Sequence, residues 1–247
     1  MPITSLFIDG VLPVIPGMKT LDDFNLKNWF LGLPASDATV KGGFYFGSAV
    51  TDITYNSFNI DEPATINGTL SNASGFITVN TDNNLNTHQK APVATTICGV
   101  MKREENGDLT VISDFSGTGS TGFGFLVGAN DTRMSIAGQN SGIGNVTYAY
   151  ASLPTSVSVG ENFAFVASIT NGALAVDVYD PSTTTVLSGT ASLPGTRVAG
   201  TKDIIIGAKP ENNAGSKNKR IKSTLIMEGL MTADQKKAVM QYLIAMA

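Results

Sequence analysis

The residues able to act together as acid, base or nucleophile are few in this chain, and their spacing does not suit catalysis. Glu104 and Glu105 are adjacent, so on a strand their carboxylates would point to opposite faces, whereas the two carboxyl groups of a glycoside hydrolase must flank one bond. His88 is the only histidine and lies in TDNNLNTHQKAP, a polar stretch typical of an exposed loop. The sequence therefore predicts a protein that is not an enzyme.

Metal and cofactor motifs are also sparse. Cys98 is the only cysteine, and with a single histidine the chain cannot build the cysteine or multi-histidine clusters that hold zinc. Its neighbours Ile97 and Val100 indicate a strand, so we expect a buried, unreactive thiol. The glycine-rich stretch FSGTGSTGFGF lacks the Lys-Ser/Thr ending of a phosphate-binding loop. We therefore expect no cofactor.

Two tyrosines are the best candidates for contact with a ligand. Tyr148 and Tyr150 alternate along a predicted strand at residues 146–150, so their rings share one face. Exposed aromatic rings form a surface on which a sugar ring can stack. Ordinary packing between strands is the other interpretation of the same pair.

Basic residues cluster near the end of the chain, although its net charge is −4. The cluster contains Lys209, Lys217, Lys219, Arg220 and Lys222. We predict that the last four form a basic loop or edge strand, whose solvated charges keep the strand from pairing with other chains. Contact with an acidic neighbouring subunit or an anionic glycan is the alternative. The small net charge does not indicate a nucleic-acid partner.

The elements that must position these residues are organised around a hairpin at residues 161–180. Its Asn171-Gly172 pair favours a two-residue type I′ turn. The resulting register places Phe165 opposite Val178 and makes one face of both strands apolar. The sequence therefore predicts the central hairpin of an antiparallel β-sandwich.

Most of the remaining chain reads as short strands separated by turn residues, the pattern of a sandwich or jelly roll. Besides the hairpin, the predicted strands are residues 43–46, 57–60, 64–70, 76–80, 94–101, 109–115, 122–127, 133–138, 146–150, 186–191, 203–206 and 221–227. Thr232 to Gln235 form a capping box, and an apolar stripe follows at helical spacing, made of Val239, Tyr242, Leu243 and Met246. The predicted fold is all-β, with a short C-terminal helix lying on the sandwich.

Residues 1–38 form a predicted N-terminal extension to a sandwich domain at residues 39–247. The extension is rich in proline and apolar residues. Phe24, Trp29 and Phe30 are too apolar for a free arm, so we expect the segment to dock through them. Its own sandwich and a neighbouring subunit are equally good docking positions, and the second makes the protein a homo-oligomer.

Three segments near the C-terminus follow one another in a known order: ENFAFVASITNGALAVDVYD, DIIIGAKPENN and RIKSTLIMEGLMTADQKKAVMQYLIA. In this order the chain from about residue 40 to 247 resembles the laminin-G/pentraxin-like domains of the concanavalin A-like superfamily, in which the third segment holds an edge strand. The likeness is structural, so it supports the jelly-roll fold more than a function. It also implies rim loops able to bind calcium, for which Asp82, Asp131 and Asp180 are the candidates.

Such domains recur in tail, fibre and other accessory proteins of bacteriophages, behind a short attachment segment. The resemblance therefore implies a non-enzymatic virion protein that binds other virion subunits or a host-surface glycan. MPITSLFIDG shows no secretion signal and no apolar run is long enough to span a bilayer, so we expect synthesis in the host cytoplasm without membrane insertion. The alternative is a carbohydrate-binding, lectin-like module that recognises a host polysaccharide.

Overall fold

The computed structural model describes residues 29–48, 50–105, 109–117, 122–211 and 217–246. Within these residues the chain forms two antiparallel sheets and a C-terminal helix. Apolar residues alternate with polar ones along the strands, so each sheet has a face to bury, and the two sheets pack on each other. The predicted antiparallel β-sandwich with a short C-terminal helix is confirmed.

The described elements are a short 3-10 helix (Trp29–Gly32), strands β1 to β15 and helix α1. Their bounds are β1 (Thr39–Tyr45), β2 (Thr65–Asn67), β3 (Asn72–Ala73), β4 (Phe76–Val79), β5 (Asn84–Lys90), β6 (Thr95–Lys102), β7 (Leu109–Ser113), β8 (Gly124–Ala129), β9 (Arg133–Gln139), β10 (Thr147–Ser152), β11 (Asn162–Thr170), β12 (Ala173–Asp180), β13 (Thr185–Ser192), β14 (Asp203–Ile206), β15 (Lys219–Glu228) and α1 (Ala233–Ala245). Sheet A has the order β13-β12-β11-β6-β15-β4-β3, with β1 also paired to β15. Sheet B has the order β10-β9-β8-β7-β14-β5-β2.

The hairpin of β11 and β12 has the predicted register, with Phe165 opposite Val178. The turn type differs from the prediction. Gly172 takes a φ of 96°, but Asn171 is not among the residues with positive φ, whereas a type I′ turn needs both. A positive φ at the second turn residue alone is the property of a type II turn. Two-residue loops of both types give the same pairing, so the register is unaffected.

The main apolar core lies between the two sheets. Phe163, Phe165, Leu174 and Val176 belong to it, and none of them is more than 1% exposed. Phe125 of sheet B lies in the same cluster. Full burial of an apolar side chain of this size stabilises the fold by about 1.5–3 kcal/mol. The predicted interior of the sandwich is therefore confirmed.

A second apolar cluster lies between the outer face of sheet A and α1. Thr232 caps the helix, and both hydrogen bonds of the predicted capping box with Gln235 are present. Val239 and Leu243 face the sheet, and Met240, which the predicted stripe leaves out, is buried beside them. No helix in the described part of the chain is long and apolar enough to cross a membrane.

Two predictions about single strands are wrong. The polar stretch around His88, predicted as a loop, forms β5, which lies between β14 and β2 in sheet B. Its alternation is hard to see because Leu85 is its only large apolar residue. Residues 57–60, predicted as a strand, form none.

β15 is an interior strand, not the predicted edge strand. It pairs with β6 on one side and with β4 and then β1 on the other. Ile221 and Ile226 point into the main core, while Leu225 points into the cluster under α1, and all three are 0% exposed. Burial on both faces is typical of an interior strand.

Candidate functional site

Tyr148 and Tyr150 project from the outer face of β10, the edge strand of sheet B. Ala149 and Ala151 point inward and are 2% exposed, so the alternation of the strand directs the tyrosines outward. The two tyrosines are 49% and 42% exposed. Their rings are parallel, with centroids 5.8 Å apart. The pair is thus an exposed aromatic surface.

Arg133 extends the stack of these two rings. It lies on β9 opposite Ser152, two positions beyond Tyr150 on the same side of the sheet. Its guanidinium carbon is 4.0 Å from the centroid of the Tyr150 ring. Tyr148 approaches Tyr150 from the other direction along the strand, so the three side chains form one row, here called the tyrosine–arginine ladder. A terminal aromatic ring and a positive charge lie at its two ends.

The position of the ladder depends on a close approach between the two sheets. Gly189 of β13 faces the backbone of β10, where a Cβ would lie 1.8 Å from the carbonyl oxygen of Tyr150. A real side chain cannot occupy that space, so glycine is required. This contact joins the edge strands of sheets A and B at the corner that carries the ladder.

A polar hollow of about 220 Å³ opens at the opposite edge of sheet B. Asn67 and Asn84 line it, joined by a 2.9 Å hydrogen bond from Asn67 Nδ2 to Asn84 Oδ1, together with Asp82 and Lys209. Amide, carboxylate and ammonium groups can hydrogen-bond sugar hydroxyls. The strand order separates the hollow from the ladder, so the two are distinct surfaces.

The four residues of the predicted basic loop do not form one exposed group. Lys219 is 0% exposed, its Nζ donates a 3.3 Å hydrogen bond to a backbone carbonyl, and burial lowers its pKa to about 8. Arg220 forms a bidentate ion pair with Glu104, in which Nε donates to Oε1 at 2.8 Å and Nη2 donates to Oε2 at 2.9 Å. Lys217 is exposed and Lys222 is half-buried. The predicted loop is wrong for Lys219, Arg220 and Lys222, which belong to β15.

The described aromatic residues of the N-terminal extension lie against the protein's own sandwich. Trp29 is 3% exposed, and its Nε1 donates a 2.8 Å hydrogen bond to Oγ of Ser57. Phe30 packs on Phe58, with ring centroids 4.6 Å apart. These two side chains therefore take the first of the two predicted docking positions. Phe24 lies outside the described residues, and attachment to another subunit stays a prediction.

Asp114 is a buried carboxyl group that sequence reasoning missed. It is 1% exposed, its Oδ1 accepts a 2.7 Å hydrogen bond from the N–H of Phe125, and its Oδ2 has no hydrogen-bond partner among the residues that the structure describes. Burial raises its pKa to about 6, although the Phe125 N–H and the charge of Arg197 lower it. No sequence signal marks this residue, because an Asp after a strand is typical of a turn.

A hydroxyl, an imidazole and a carboxylate lie in a row on β2, β5 and β14. Oγ1 of Thr65 is 2.7 Å from Nε2 of His88, whose Nδ1 is 3.8 Å from Oδ2 of Asp203. The order matches a hydrolytic triad, but the second distance is too long for a hydrogen bond. The side chain of His88 is also 43% exposed, so water competes for its contacts. We assign no catalytic role to this row.

The three candidate calcium ligands are dispersed. Asp82 lines the polar hollow, Asp131 is exposed after β8, and Asp180 accepts hydrogen bonds from the hydroxyls of Ser156 and Ser182. These hydroxyls lower the pKa of Asp180 to about 2. Among the described side chains, no three His, Cys, Asp or Glu lie together as a metal site. Calcium binding through loop carboxylates stays a prediction.

No protein-family model matches this sequence, and no curated protein sequence matches it significantly. Solved structures are similar in fold. The binding domain of botulinum neurotoxin DC, solved in complex with SialylT, has a TM-score of 0.57 at 8% identity, over 85% of this chain and 52% of that chain. The binding domain of botulinum neurotoxin serotype D has a TM-score of 0.55 at 9% identity, over 83% of this chain and 51% of that chain. The protein thus spans about half the length of these binding domains.

A shorter structure is also similar, the CBM40 domain of Ruminococcus gnavus IT-sialidase bound to alpha2,3 sialyllactose. Its TM-score is 0.48 at 14% identity, over 61% of this chain and 83% of that chain. At such identities the likeness shows the fold alone. The likeness to the two neurotoxin binding domains agrees with the predicted antiparallel β-sandwich.

Proposed function

We propose that this protein is a carbohydrate-binding module that acts without catalysis, and that the tyrosine–arginine ladder is its sugar-binding surface. The observation that carries this assignment is the exposed, parallel pair of rings of Tyr148 and Tyr150. In the free protein part of the apolar surface of both rings is exposed to solvent, and a sugar ring stacked on them would bury that surface.

The ladder offers the two kinds of contact that a sugar ring requires. The tyrosine rings supply apolar surface for the C–H face of a pyranose. Arg133, which lies beside them on β9, supplies hydrogen-bond donors for hydroxyl groups. The hydroxyl group of Ser135, which donates to the carbonyl of Gly128 at 3.3 Å, supplies an acceptor. The fold-level likeness to a neurotoxin binding domain solved in complex with SialylT supports the same class of ligand.

Tyr148→Ala tests the assignment, because the ring of Tyr148 ends the ladder. A glycan array of host polysaccharides, probed with the wild-type protein, should identify ligands, and calorimetry with those ligands should measure their affinity. We expect Tyr148→Ala to weaken binding about tenfold or more, the effect of losing one stacking ring.

Two matched variants separate stacking from a general effect of substitution. Tyr148→Phe keeps the ring and should bind like the wild type. Leu230→Ala removes another exposed apolar side chain, 46% exposed, and should also leave binding unchanged. Equal affinity of Tyr148→Ala and the wild type for every ligand, or no ligand with or without calcium, would contradict the proposal.

The role as a bacteriophage tail or fibre protein, which the sequence resemblance implies, stays a prediction. Its supporting residues, the N-terminal aromatics, contact the protein's own sandwich where they are described. Binding to other virion subunits and a homo-oligomeric state are likewise predictions, which an electron micrograph of the native assembly would test. A glycan-binding module is compatible with that setting and does not depend on it.

A further inference from the structure

Two lysines converge on one aromatic ring on the outer face of sheet A. Nζ of Lys102 lies 4.7 Å from the centroid of the Phe76 ring, and Nζ of Lys222 lies 5.2 Å from it. The ring is almost fully buried, at 6% exposure. The two ammonium groups therefore share one ring, and we call them the lysine pair.

An irregularity of the backbone brings the second lysine to this ring. β15 pairs Ile221 with Met101 and Ser223 with Val100 of β6, so Lys222 is the extra residue of a β-bulge. A bulge re-aims the side chain that it carries. At the same place β15 exchanges β4 for β1 as its other neighbour. The backbone of Lys222 is thus held by the sheet, because the residue lies within a paired strand and not on a loop.

Neither lysine of the pair forms a salt bridge in the part of the chain that the structure describes, although the carboxylate of Glu161 lies in the hollow beside Lys102. The salt bridges found there, with N···O distances up to 4.0 Å, use the other cations Lys41, His88, Lys90, Arg220 and Lys236. Lys102 donates one hydrogen bond, to the carbonyl of Gly160 at 3.2 Å, which leaves two of its three donors. Burial and the charge of Lys102 both lower the pKa of Lys222, as expected for two close cations.

A hollow of about 430 Å³ opens beside Lys102. Ser156 and Asn162 give it polar groups, while Val157 and Ile244 give it apolar ones. Glu161 also lines it, and its carboxylate accepts a 2.6 Å hydrogen bond from the backbone N–H of Ser158. The hollow can therefore hold the body of a small ligand whose anionic group lies at Lys102, the member of the pair that lines it.

We propose that Lys102, Lys222 and Phe76 form a binding site for an oxyanion, either free phosphate or sulfate or the same group as an ester. Two convergent ammonium groups give charge-assisted hydrogen bonds to such a group, and the anion removes their mutual repulsion. The site is on the other sheet from the tyrosine–arginine ladder and does not depend on sugar binding there.

Titration with inorganic phosphate, followed by NMR of the backbone amides, tests this site. Sodium chloride keeps the ionic strength constant, so that screening does not change. The wild type should show saturable shifts at Lys102 and Lys222. Lys102→Met and Lys222→Met should each weaken binding about tenfold, because each removes one charge-assisted contact. Lys217→Met, at an exposed residue just before β15, should leave binding unchanged.

Urea unfolding of the variants checks that weaker phosphate binding is not caused by loss of the fold. Without phosphate, Lys222→Met should unfold at the same urea concentration as the wild type or a higher one, since it relieves like-charge repulsion. Tighter binding of glucose 6-phosphate than of phosphate would support an ester seated in the hollow, and equal binding would support the free ion. Shifts that do not saturate, or equal phosphate affinity in the wild type and both lysine variants, would overturn the site.

Discussion

Asp114 and Arg197 carry opposite charges in one buried region, and burial outweighs their attraction. The pKa of Asp114 rises to about 6 because the carboxyl group is buried, although Arg197 and a backbone N–H oppose the rise. Above that pH the native protein holds an ionised group that the unfolded chain hydrates better. The ionised carboxyl group therefore lowers the free energy of unfolding.

The contribution of Asp114 to stability should increase as the pH falls through 6 towards 3.8, because the native carboxyl group takes up a proton before the unfolded one does. Asp114→Asn should remove about 2–3 kcal/mol of this pH dependence. Urea unfolding between about pH 4 and pH 7 measures it, with the exposed Asp131→Asn as the control. Parallel pH profiles for the wild type and Asp114→Asn would contradict this account.

The solvent exposure of individual side chains is the property that the sequence predicts least well. Lys217 and Lys219 are the same residue type two positions apart, yet one is exposed and the other is 0% exposed. Tyr148 and Tyr150 could be placed on one face by their spacing, but not in solvent. Their exposure follows from α1, which packs on sheet A while the tyrosines stand on sheet B. The exposure of these side chains depends on the tertiary arrangement and cannot be predicted from the neighbouring sequence.

Local sequence patterns locate most strands, but they do not predict which strands lie side by side in the sheets. The hairpin of β11 and β12 has the predicted register because its turn residues and its apolar alternation agree. The sequence does not reveal β5, because residues such as Asn84 and Asn86 have low strand propensity and the strand depends on its pairing with β14 and β2. The interior position of β15 is set by its pairing with β1 and β4, whose residues are at least 140 positions away along the chain and so lie outside any local window.

Gly189 should be the least replaceable glycine of the edge that carries the ladder. Gly189→Ala places a methyl group where only 1.8 Å separates it from a backbone oxygen, so β10 and β13 must move apart. We expect a loss of about 1–3 kcal/mol in the free energy of unfolding, together with weaker glycan binding. Urea unfolding and the calorimetric assay measure the two effects.

Gly144→Ala is the matched control for this substitution, because a Cβ there would meet no atom within 4 Å among the described residues other than its chain neighbours. It should leave stability unchanged or raise it slightly, since alanine restricts the unfolded chain. If both alanine variants were as stable as the wild type, the close approach of the two edge strands would not control the position of β10.

At the scale of the whole molecule, residues 29–38 are built into the folded unit. Trp29 and Ala38 lie in the apolar cluster under α1. The hydroxyl group of Tyr242 in the helix donates a hydrogen bond to the carbonyl of Trp29. The predicted domain boundary between residues 38 and 39 would separate these contacts.

A protein that begins at residue 39 should therefore be less stable than one that begins at residue 29. The loss of the buried Trp29 alone accounts for about 3–5 kcal/mol. Urea unfolding of the two shortened proteins measures the difference, and Trp29→Ala in the full chain gives the contribution of that side chain. Equal midpoints would show that residues 29–38 add nothing to the fold and would return them to a purely intermolecular role.

Cys98 is the only cysteine of the chain, and its burial raises the pKa of the thiol, so little thiolate is present at neutral pH. A cysteine introduced at the surface would therefore react alone with a maleimide dye. Ser152, exposed and directly opposite Arg133, is the natural place for it. Fluorescence from a dye at that position would report ligand arrival at the neighbouring rings in real time, with the native thiol left in place.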